Sequence, residues 1–218
     1  MASQTKENYI KAIYFLHQKS EAISLSDLGQ ELGVSKPTAN DMIKKLKADG
    51  IVISEKYKPI KITEKGKRVA ASIIRKHRLS EMFLSQIMEF GWEEVHEIAE
   101  ELEHLKIEKF FDRMDEILGF PTTDPHGSPI PDKNGNFNKP NYLPFSQVSE
   151  GSTVVVKALR ESSMDFLIFL NKKAIQLGTE MKVEQVESFD GSYTVSFGDF
   201  TNVVLGKTVC DRLLVEVV

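Results

Sequence analysis

The ten residues VHEIAEELEH, from Val95 to His104, contain several side chains that can bind a cation. In a helix each residue turns by about 100°, so two imidazoles and two carboxylates of this segment point to one side, and the apolar residues point to the other. The segment is therefore predicted to be an amphipathic helix. Its polar face is either an ordinary solvated surface or a metal-binding face, formed by His96, Glu100, Glu103 and His104.

The motif HRLSE contains a second pair with the same chemistry, His77 and Glu81, four residues apart. On a helical wheel this pair falls on the same side as Ile73, Ile74 and Leu84, so two ionisable groups stand on an apolar face. Burying such groups is unfavourable unless a partner neutralises them. A divalent cation does so, because donors four residues apart on a helix can share one ion. The repeated spacing favours metal binding, and a buried His-Glu ion-pair network is the structural alternative.

The same residues do not indicate an enzyme. The stretch HEIAE lacks the second histidine of the HExxH zinc motif. The sequence shows no phosphate-binding loop and no paired nucleophile and base. The chain is therefore predicted not to be an enzyme.

Length and composition describe an ordinary globular protein. The chain has 218 residues, of which 41% are hydrophobic, enough for one large domain or two to three small ones. Its single cysteine, Cys210, excludes an intrachain disulfide and a multi-cysteine zinc site. The start MASQTKENYI has no apolar core like that of a signal peptide, and the apolar runs are too short to span a bilayer. We expect a cytoplasmic protein that does not bind membranes.

The net charge of −4 conceals an uneven distribution. Residues 1–76 contain 15 Lys and Arg against 8 Asp and Glu, a net of +7, and the remainder contains 13 against 24, a net of −11. A basic segment in an acidic chain indicates a polyanionic partner for one part, with self-association or cation binding for the other.

The basic part has the pattern of a helix-turn-helix. After a helix predicted over residues 6–18, Ser24 can cap a short helix, Gly33 can adopt a left-handed turn, and Ser35 can cap the next helix with Pro37 in its first turn. The following stretch IVISEKYKPIKIT gives two β-rich runs about a YKP turn, which is a small hairpin. Together these elements predict a winged helix-turn-helix.

In such a domain the beginning of the second helix enters the DNA major groove. An amide such as that of Asn40 can bind adenine, and Pro37 or Thr38 can contact a thymine methyl group. Lysines further along the helix and on the wing, including Lys56 and Lys61, would bind phosphates. The predicted DNA-binding residues are Ser35, Lys36, Pro37, Thr38, Asn40, Asp41, Lys44, Lys45, Lys47 and Lys58.

The remaining chain divides into a helical part, a linker and a β part. Thr63 is predicted to cap a helix through HRLSE that breaks near His77, and IEKFFDRMDEILGF is a further helix. Residues 121–147 are dense in Pro, Gly, Asn and Asp and are predicted to be a linker. The runs STVVVKAL, MDFLIFL, TEMKVEQV, SYTVSF, TNVVLG and LLVEVV predict five or six strands of an SH3-like barrel.

The predicted fold class is mainly α with a small β domain. The predicted boundaries are 1–72 for the winged helix-turn-helix, 73–120 for a helical metal-binding and dimerisation domain, 121–147 for the linker, and 148–218 for the SH3-like domain.

This order of elements, with HRLSE, VHEIAEELEH and the linker motif DPHGSPIP, resembles the diphtheria toxin repressor family of iron- and manganese-dependent regulators, in its three-domain form with a terminal SH3-like, FeoA-type module. The resemblance covers essentially the whole chain. It implies two neighbouring metal sites per subunit. One resembles the ancillary site of the family and comprises His77, Glu81 and His96; the other resembles its primary site and comprises Asn8, Glu100, Glu103 and His104.

The first helix departs from both main branches of that family. Asn8 stands where iron sensors have methionine and manganese sensors have aspartate, and Lys11 replaces a glutamate of the manganese sensors. Glu100 stands where iron sensors have cysteine and manganese sensors have glutamate. The third-domain ligands of the iron branch have no clear counterpart, and Glu161 is the candidate substitute.

These observations predict a homodimeric, metal-dependent transcriptional repressor that binds operator DNA. The alternative is a winged-helix regulator or protein-interaction module in which the His-Glu cluster is only an ion-pair network. All assigned donors are oxygen or imidazole nitrogen, so Mn²⁺ is the expected activator, Fe²⁺ the next best, and Zn²⁺ a tight but poor one. Apolar stripes around Ile87 and from Phe110 to Leu118 are expected to form the dimer interface.

Overall fold

The computed structural model describes residues 4–56, 58–138 and 140–218. The chain folds into two compact units that share it in alternating segments. Unit 1 consists of Met1–Ser80, Ala99–Ile117 and Ile130–Phe137, and unit 2 consists of Glu81–Ile98, Leu118–Pro129 and Asn138–Val218. The predicted four-part domain division stays a prediction.

Unit 1 begins with three helices and a hairpin: α1 (Gln4–Lys19), α2 (Leu25–Glu31), α3 (Lys36–Ala48), β1 (Val52–Ile53) and β2 (Lys61–Ile62). The two strands pair antiparallel, with Val52 opposite Ile62. Helix α4 (Glu64–Gln86) follows, then α5 (Val95–Leu102) and α6 (Glu108–Ile117). The winged helix-turn-helix is thus present; of its predicted YKP turn, Tyr57 lies outside the described residues.

The turn between α2 and α3 forms because nearby side chains accept hydrogen bonds from the free backbone N–H groups at the helix starts. Ser24 and Asp27 form a reciprocal capping box at α2, and Ser35 accepts a hydrogen bond from the backbone N–H of Thr38 at α3. Gly33 adopts a left-handed φ of 63°, which glycine takes without a Cβ clash. These caps confirm the sequence-based prediction of the turn.

Apolar residues at helical spacing on α1, α3 and α4 form the core of unit 1. Ile10 and Ile13 of α1 are almost fully buried with Leu28, Leu46 and Ile74. Helix α1 is thereby packed firmly beside α3, the second helix of the helix-turn-helix motif. A contact that holds α1 in position therefore also holds α3 in position.

Two helix predictions need correction. Helix α4 does not break near His77 but continues to Gln86, since after Gly66 it contains no glycine and no proline. Helix α5 ends at Leu102, so Glu103 and His104 lie in the turn that follows. The N–H of Glu103 still donates to the carbonyl of Ala99 at 2.9 Å, so Glu103 keeps a helix-like position.

Unit 2 is built on a six-stranded antiparallel sheet with the order β3-β8-β4-β5-β6-β7. Alternate residues such as Val154 and Val156 are buried in its core, as a period of two predicts. The predicted fold class, mainly α with a small SH3-like β domain, is confirmed. The strands are β3 (Leu143–Pro144), β4 (Thr153–Leu159), β5 (Glu180–Val186), β6 (Tyr193–Phe197), β7 (Phe200–Leu205) and β8 (Leu213–Val217).

The predicted strand MDFLIFL is instead helix α7 (Met164–Lys172). Its buried residues Phe166, Leu167 and Leu170 follow helical spacing, Asp165 lies in the first turn, and the run contains a single β-branched residue. A short apolar run cannot be assigned to a strand or a helix by its period alone. A further short helix, α8 (Lys207–Arg212), precedes β8.

The predicted linker is ordered and packs within both units. In unit 1 the ring of Phe137 stacks on that of Tyr14, with centroids 5.6 Å apart. In unit 2 Oδ1 of Asp124 accepts hydrogen bonds from the backbone N–H groups of His126 and Ser128, which closes a tight turn. The segment therefore contributes side chains to the structure as well as connecting its parts.

None of the helices in the described parts of the chain combines the length and apolar character needed to cross a membrane.

Candidate metal centres and nucleic-acid interface

Unit 1 contains a group of metal-binding side chains that we call the unit-1 cluster: His77, Glu100 and Glu103. Their ligand atoms lie within 4.8 Å of one another. Helix α4 supplies the imidazole, and α5 with its following turn supplies two carboxylates three residues apart. Nδ1 of His77 lies 2.7 Å from Oε2 of Glu103, whose side chain is completely buried. The arrangement can bind a divalent cation through nitrogen and oxygen.

His104 extends this cluster toward the first helix. Its Nδ1 lies 2.6 Å from Oε2 of Glu7, and its Nε2 lies 3.7 Å from Oε1 of Glu103. Helix α1 therefore reaches the cluster through Glu7. This carboxylate was not predicted from the sequence, although it stands one helical turn before Lys11.

Lys11 lies among the carboxylates of the cluster. Its Nζ donates to Oε1 of Glu100 at 2.6 Å and to both carboxylate oxygens of Glu103 at 2.8 Å. The sequence comparison with the family identifies Lys11 only as a departure from a glutamate. The structure gives it a direct role at the cluster.

Asn8 is the predicted first-helix ligand. Its Oδ1 is buried and has no hydrogen-bond partner among the residues that the structure describes. An unsatisfied buried amide oxygen costs free energy, and a cation would satisfy it. The residue fits a ligand role on this observation, and that role stays a prediction.

Unit 2 contains a second group, the unit-2 cluster: Glu81, Asp124 and His126. All three are buried, and their ligand atoms lie within 4.8 Å of one another. Nδ1 of His126 lies 3.9 Å from Oε2 of Glu81 and 4.0 Å from Oδ1 of Asp124. Glu81 comes from the last part of α4, and Asp124 and His126 come from the tight turn within the segment predicted to be a linker.

The partner of His126 favours cation binding here. Its Nε2 lies 2.8 Å from the carbonyl oxygen of Trp92, so a neutral ring donates Nε2–H there and keeps a lone pair on Nδ1. That lone pair faces the two carboxylates, and such orientation by a backbone carbonyl is typical of metal-binding histidines. Asp124 and His126 were not predicted as ligands, and the only signal in the sequence is the DPH motif itself.

The residues of the predicted ancillary site are divided between the two units. In unit 2, Nδ1 of His96 lies 3.2 Å from Oε1 of Glu81, and the His96 side chain is 58% exposed. In unit 1, His77 contacts Glu103. The grouping of His77, Glu81 and His96 in one site stays a prediction. Glu161 pairs with Arg212 at 3.5 Å.

Sulfur is not available to either cluster from Cys210, which is fully buried in the core of unit 2. Burial raises the pKa of its thiol to about 12, so a thiolate is not populated at neutral pH. The assigned donor set therefore consists of carboxylate, amide and imidazole groups.

The candidate DNA-binding surface is the exposed face of α3 with the wing. The predicted residues of α3 are exposed, except for the half-buried Asn40. Lys44 pairs with Asp41 at 2.9 Å, and Nζ of Lys47 donates to the carbonyl of Ser54 at 2.7 Å. Asn40, Lys44, Lys47, Lys56 and Lys58 are among the residues that line an open groove of about 760 Å³ between α3 and the wing.

Of the apolar residues predicted to form the dimer interface, some are buried and others are exposed. On α6, Phe111 and Met114 are buried within unit 1, whereas Phe110 and Ile117 are 41% and 48% exposed. Ile107, just before the helix, is 60% exposed. In unit 2, Ile87 and Met88 are exposed as well.

Comparison with protein-family models accounts for nearly the whole chain. Residues 1–60 match the N-terminal DNA-binding domain of iron-dependent repressors, residues 63–132 match their metal-binding and dimerisation domain, and residues 143–217 match the FeoA domain. The chain belongs to the iron-dependent repressor family. The predicted resemblance is thereby confirmed, and so is the predicted function of a metal-dependent transcriptional repressor over the alternative of an unmetallated interaction module. Such repressors are not enzymes, as predicted.

Individual relatives match this chain over most of their length. The iron-dependent repressor IdeR of Mycobacterium tuberculosis is 28% identical over 224 residues, covering 97% of this chain and 96% of that protein. The diphtheria toxin repressor of Corynebacterium diphtheriae is 26% identical over 202 residues, or 88% of each chain. A solved manganese-dependent transcriptional repressor in complex with manganese superimposes with a TM-score of 0.87 at 30% identity, covering 98% of this chain and all of the other.

Proposed function

We propose that this protein binds operator DNA as a homodimer when a divalent cation, Mn²⁺ or Fe²⁺, is bound at its acidic clusters. The observation that carries the proposal is the unit-1 cluster, in which one imidazole and two carboxylates lie within 4.8 Å of one another beside α1. The names of the relatives, which include iron- and manganese-dependent repressors, support the same choice of metals.

The residues that would hold the ion in unit 1 are Asn8, His77, Glu100, Glu103 and His104. A bound cation supplies positive charge that offsets the two carboxylates. The chain connects this charge to DNA binding through α1, because α1 packs against α3 in the core of unit 1. Fixing α1 to α5 would therefore fix the recognition helix, whose spacing in a dimer has to match half-sites about 34 Å apart.

The unit-2 cluster supports a second ion in each subunit. Of the family-based assignment for this second site, Glu81 and His96 lie in unit 2, whereas His77 contacts Glu103 of the unit-1 cluster; the buried Asp124 and His126 are additional donors near Glu81. We therefore propose two metal ions per chain, with Asp124 and His126 added to the predicted ligand set.

The donor types support Mn²⁺ as the best activator, with Fe²⁺ next. Oxygen and imidazole donors without thiolate suit these ions, although affinity alone rises toward Zn²⁺ along the divalent series. The neutral amide of Asn8 is a weak donor that six-coordinate Mn²⁺ can use and four-coordinate Zn²⁺ can omit. Zinc would then bind tightly and still leave α1 unattached.

The test measures DNA affinity with each metal. A pool of randomised DNA duplexes is selected on the Mn²⁺-loaded protein, and one fluorescent selected duplex is then titrated by anisotropy with chelator, Mn²⁺, Fe²⁺ or Zn²⁺ at buffered saturation. We expect tight binding with Mn²⁺ and Fe²⁺, weaker binding with Zn²⁺, and only weak, salt-sensitive binding with chelator.

Metal analysis of the same samples counts the bound ions, and His126→Ala should remove one of two. Equal DNA affinity with chelator and with Mn²⁺ would favour an ion-pair network in place of a metal switch. Activation by Zn²⁺ equal to that by Mn²⁺ would contradict the coordination-number argument alone.

A further inference from the structure

Lys11 places a positive charge of the chain itself at the unit-1 cluster. Its ammonium lies 2.6 Å from one oxygen of Glu100 and 2.8 Å from both oxygens of Glu103. The lysine side chain is 13% exposed and that of Glu103 is completely buried. This is a bridge between α1 and α5, the two elements that a metal ion in this cluster would also connect.

The ammonium and a metal ion would compete for the same carboxylate oxygens. Oε2 of Glu103 already accepts from Lys11 and lies 2.7 Å from Nδ1 of His77, and Oε1 accepts from Lys11 as well. A cation at an ordinary metal–oxygen distance of about 2.0–2.3 Å from these oxygens would lie within about 5 Å of the ammonium. Two cations this close repel each other, and the repulsion is strong at a partly buried site.

We propose that Lys11 is an internal competitor of the metal at the unit-1 cluster: its ammonium bridges Glu100 and Glu103 in the metal-free chain and leaves them when the ion binds. The long, flexible lysine stem allows this departure toward solvent without any change in the helix backbone. The lysine thereby lowers the metal affinity of the cluster and sets a higher metal concentration for activation. The inference rests on the proposed function, because it concerns the same metal site.

The test compares the Mn²⁺ affinity of the unit-1 cluster with and without the ammonium. All proteins carry His126→Ala, so that the unit-2 cluster does not contribute to the heat of binding. Lys11→Met removes the charge and keeps an unbranched side chain, and Lys11→Arg keeps the charge. Lys6→Met is the matched control, since it removes a lysine–carboxylate pair with Asp49 from the same helix and leaves the cluster unchanged.

In isothermal titration calorimetry, Lys11→Met should lower the Mn²⁺ dissociation constant by on the order of tenfold or more, because binding no longer displaces a cation. Lys11→Arg and Lys6→Met should remain close to the parent. Thermal melts in chelator should show a lower midpoint for Lys11→Met, since the metal-free cluster loses the ammonium that bridges Glu100 and Glu103. A residue with a merely structural role would lower the midpoint without tightening Mn²⁺ binding.

Unchanged or weaker Mn²⁺ binding by Lys11→Met would overturn the competitor role and leave the proposed function intact. Absence of Mn²⁺ binding in both the parent and Lys11→Met would overturn the metal-site assignment, and the competitor role with it.

Discussion

Glu103 lies close to three charged or titratable side chains at the unit-1 cluster. Its carboxylate is completely buried and lies 2.7 Å from His77, 2.8 Å from Lys11 and 3.7 Å from His104. A buried carboxylate is tolerated only when such partners offset its desolvation. The residue therefore ties α1, α4 and the turn after α5 to one charged centre.

We predict that Glu103→Ala and His104→Ala each abolish metal-stimulated DNA binding. Both remove a donor of the unit-1 cluster, while the basic face of α3 remains and gives weak, salt-sensitive affinity. Fluorescence anisotropy with and without Mn²⁺ measures the effect. Glu101→Ala is the matched control, because Glu101 is an exposed carboxylate of α5 two residues before Glu103.

Glu103→Gln keeps the shape of the side chain and guards against a simple loss of folding, which thermal melts would reveal. Normal Mn²⁺-dependent binding by the folded Glu103 and His104 variants would contradict the ligand assignment.

At the scale of elements, α3 presents two chemically different kinds of side chain. Exposed lysines such as Lys45 are suited to phosphates and carry no base information, whereas Asn40 can read a base edge. The buried residues Ala39, Ile43 and Leu46 fix the helix on the unit-1 core. The exposed face is therefore held rigidly, as base recognition requires.

We predict that Lys45→Ala weakens binding to all DNA sequences equally and reduces the slope of log affinity against log salt by about 1. Asn40→Ala should instead weaken binding to the selected duplex by about 1–3 kcal/mol and reduce the base preference at one base pair. Anisotropy titrations at several salt concentrations separate the two effects. Lys172→Ala, an exposed lysine of α7, should leave the slope unchanged; an equal change in this control would contradict a specific phosphate contact at Lys45.

At the scale of the whole molecule, the exposed apolar residues of unit 1 call for a partner surface. Ile107, Phe110 and Ile117 remain exposed at 41–60% although the neighbouring Phe111 and Met114 are buried. An exposed apolar stripe on one helix is typical of an interface between identical subunits related by a two-fold axis. The metal-binding and dimerisation domain of the family matches this part of the chain.

We predict that the Mn²⁺-loaded protein sediments as a dimer at micromolar concentration and that Phe110→Asp shifts it to a monomer. The introduced carboxylate would have to be desolvated in the interface, which is costly without a partner. Sedimentation velocity provides the measurement. Phe189→Asp, at a 94% exposed position of unit 2, is the control and should remain dimeric. A monomeric parent protein would contradict the predicted interface.

Features that depend on neighbours within one or two helical turns could be predicted from the sequence alone. Ser24, Ser35 and Gly33 specify the helix ends of the winged domain, because a cap acts on N–H groups only two or three residues away. The alternation of buried and exposed residues along β4 and the helical spacing of the buried residues of α1 also depend only on near neighbours in the sequence. The types of metal donor and the charge asymmetry also follow from the sequence alone.

Contacts between residues far apart in the sequence became visible in the folded chain. Glu7 and Lys11 reach Glu103 and His104 across more than ninety positions of the sequence, and His126 reaches Glu81 from a segment that composition describes only as a linker. The run in α7 was predicted as a strand because a short apolar stretch has the same composition in both structures. The contacts between distant residues depend on packing between segments far apart in the chain, and periodicity and caps contain no information about them.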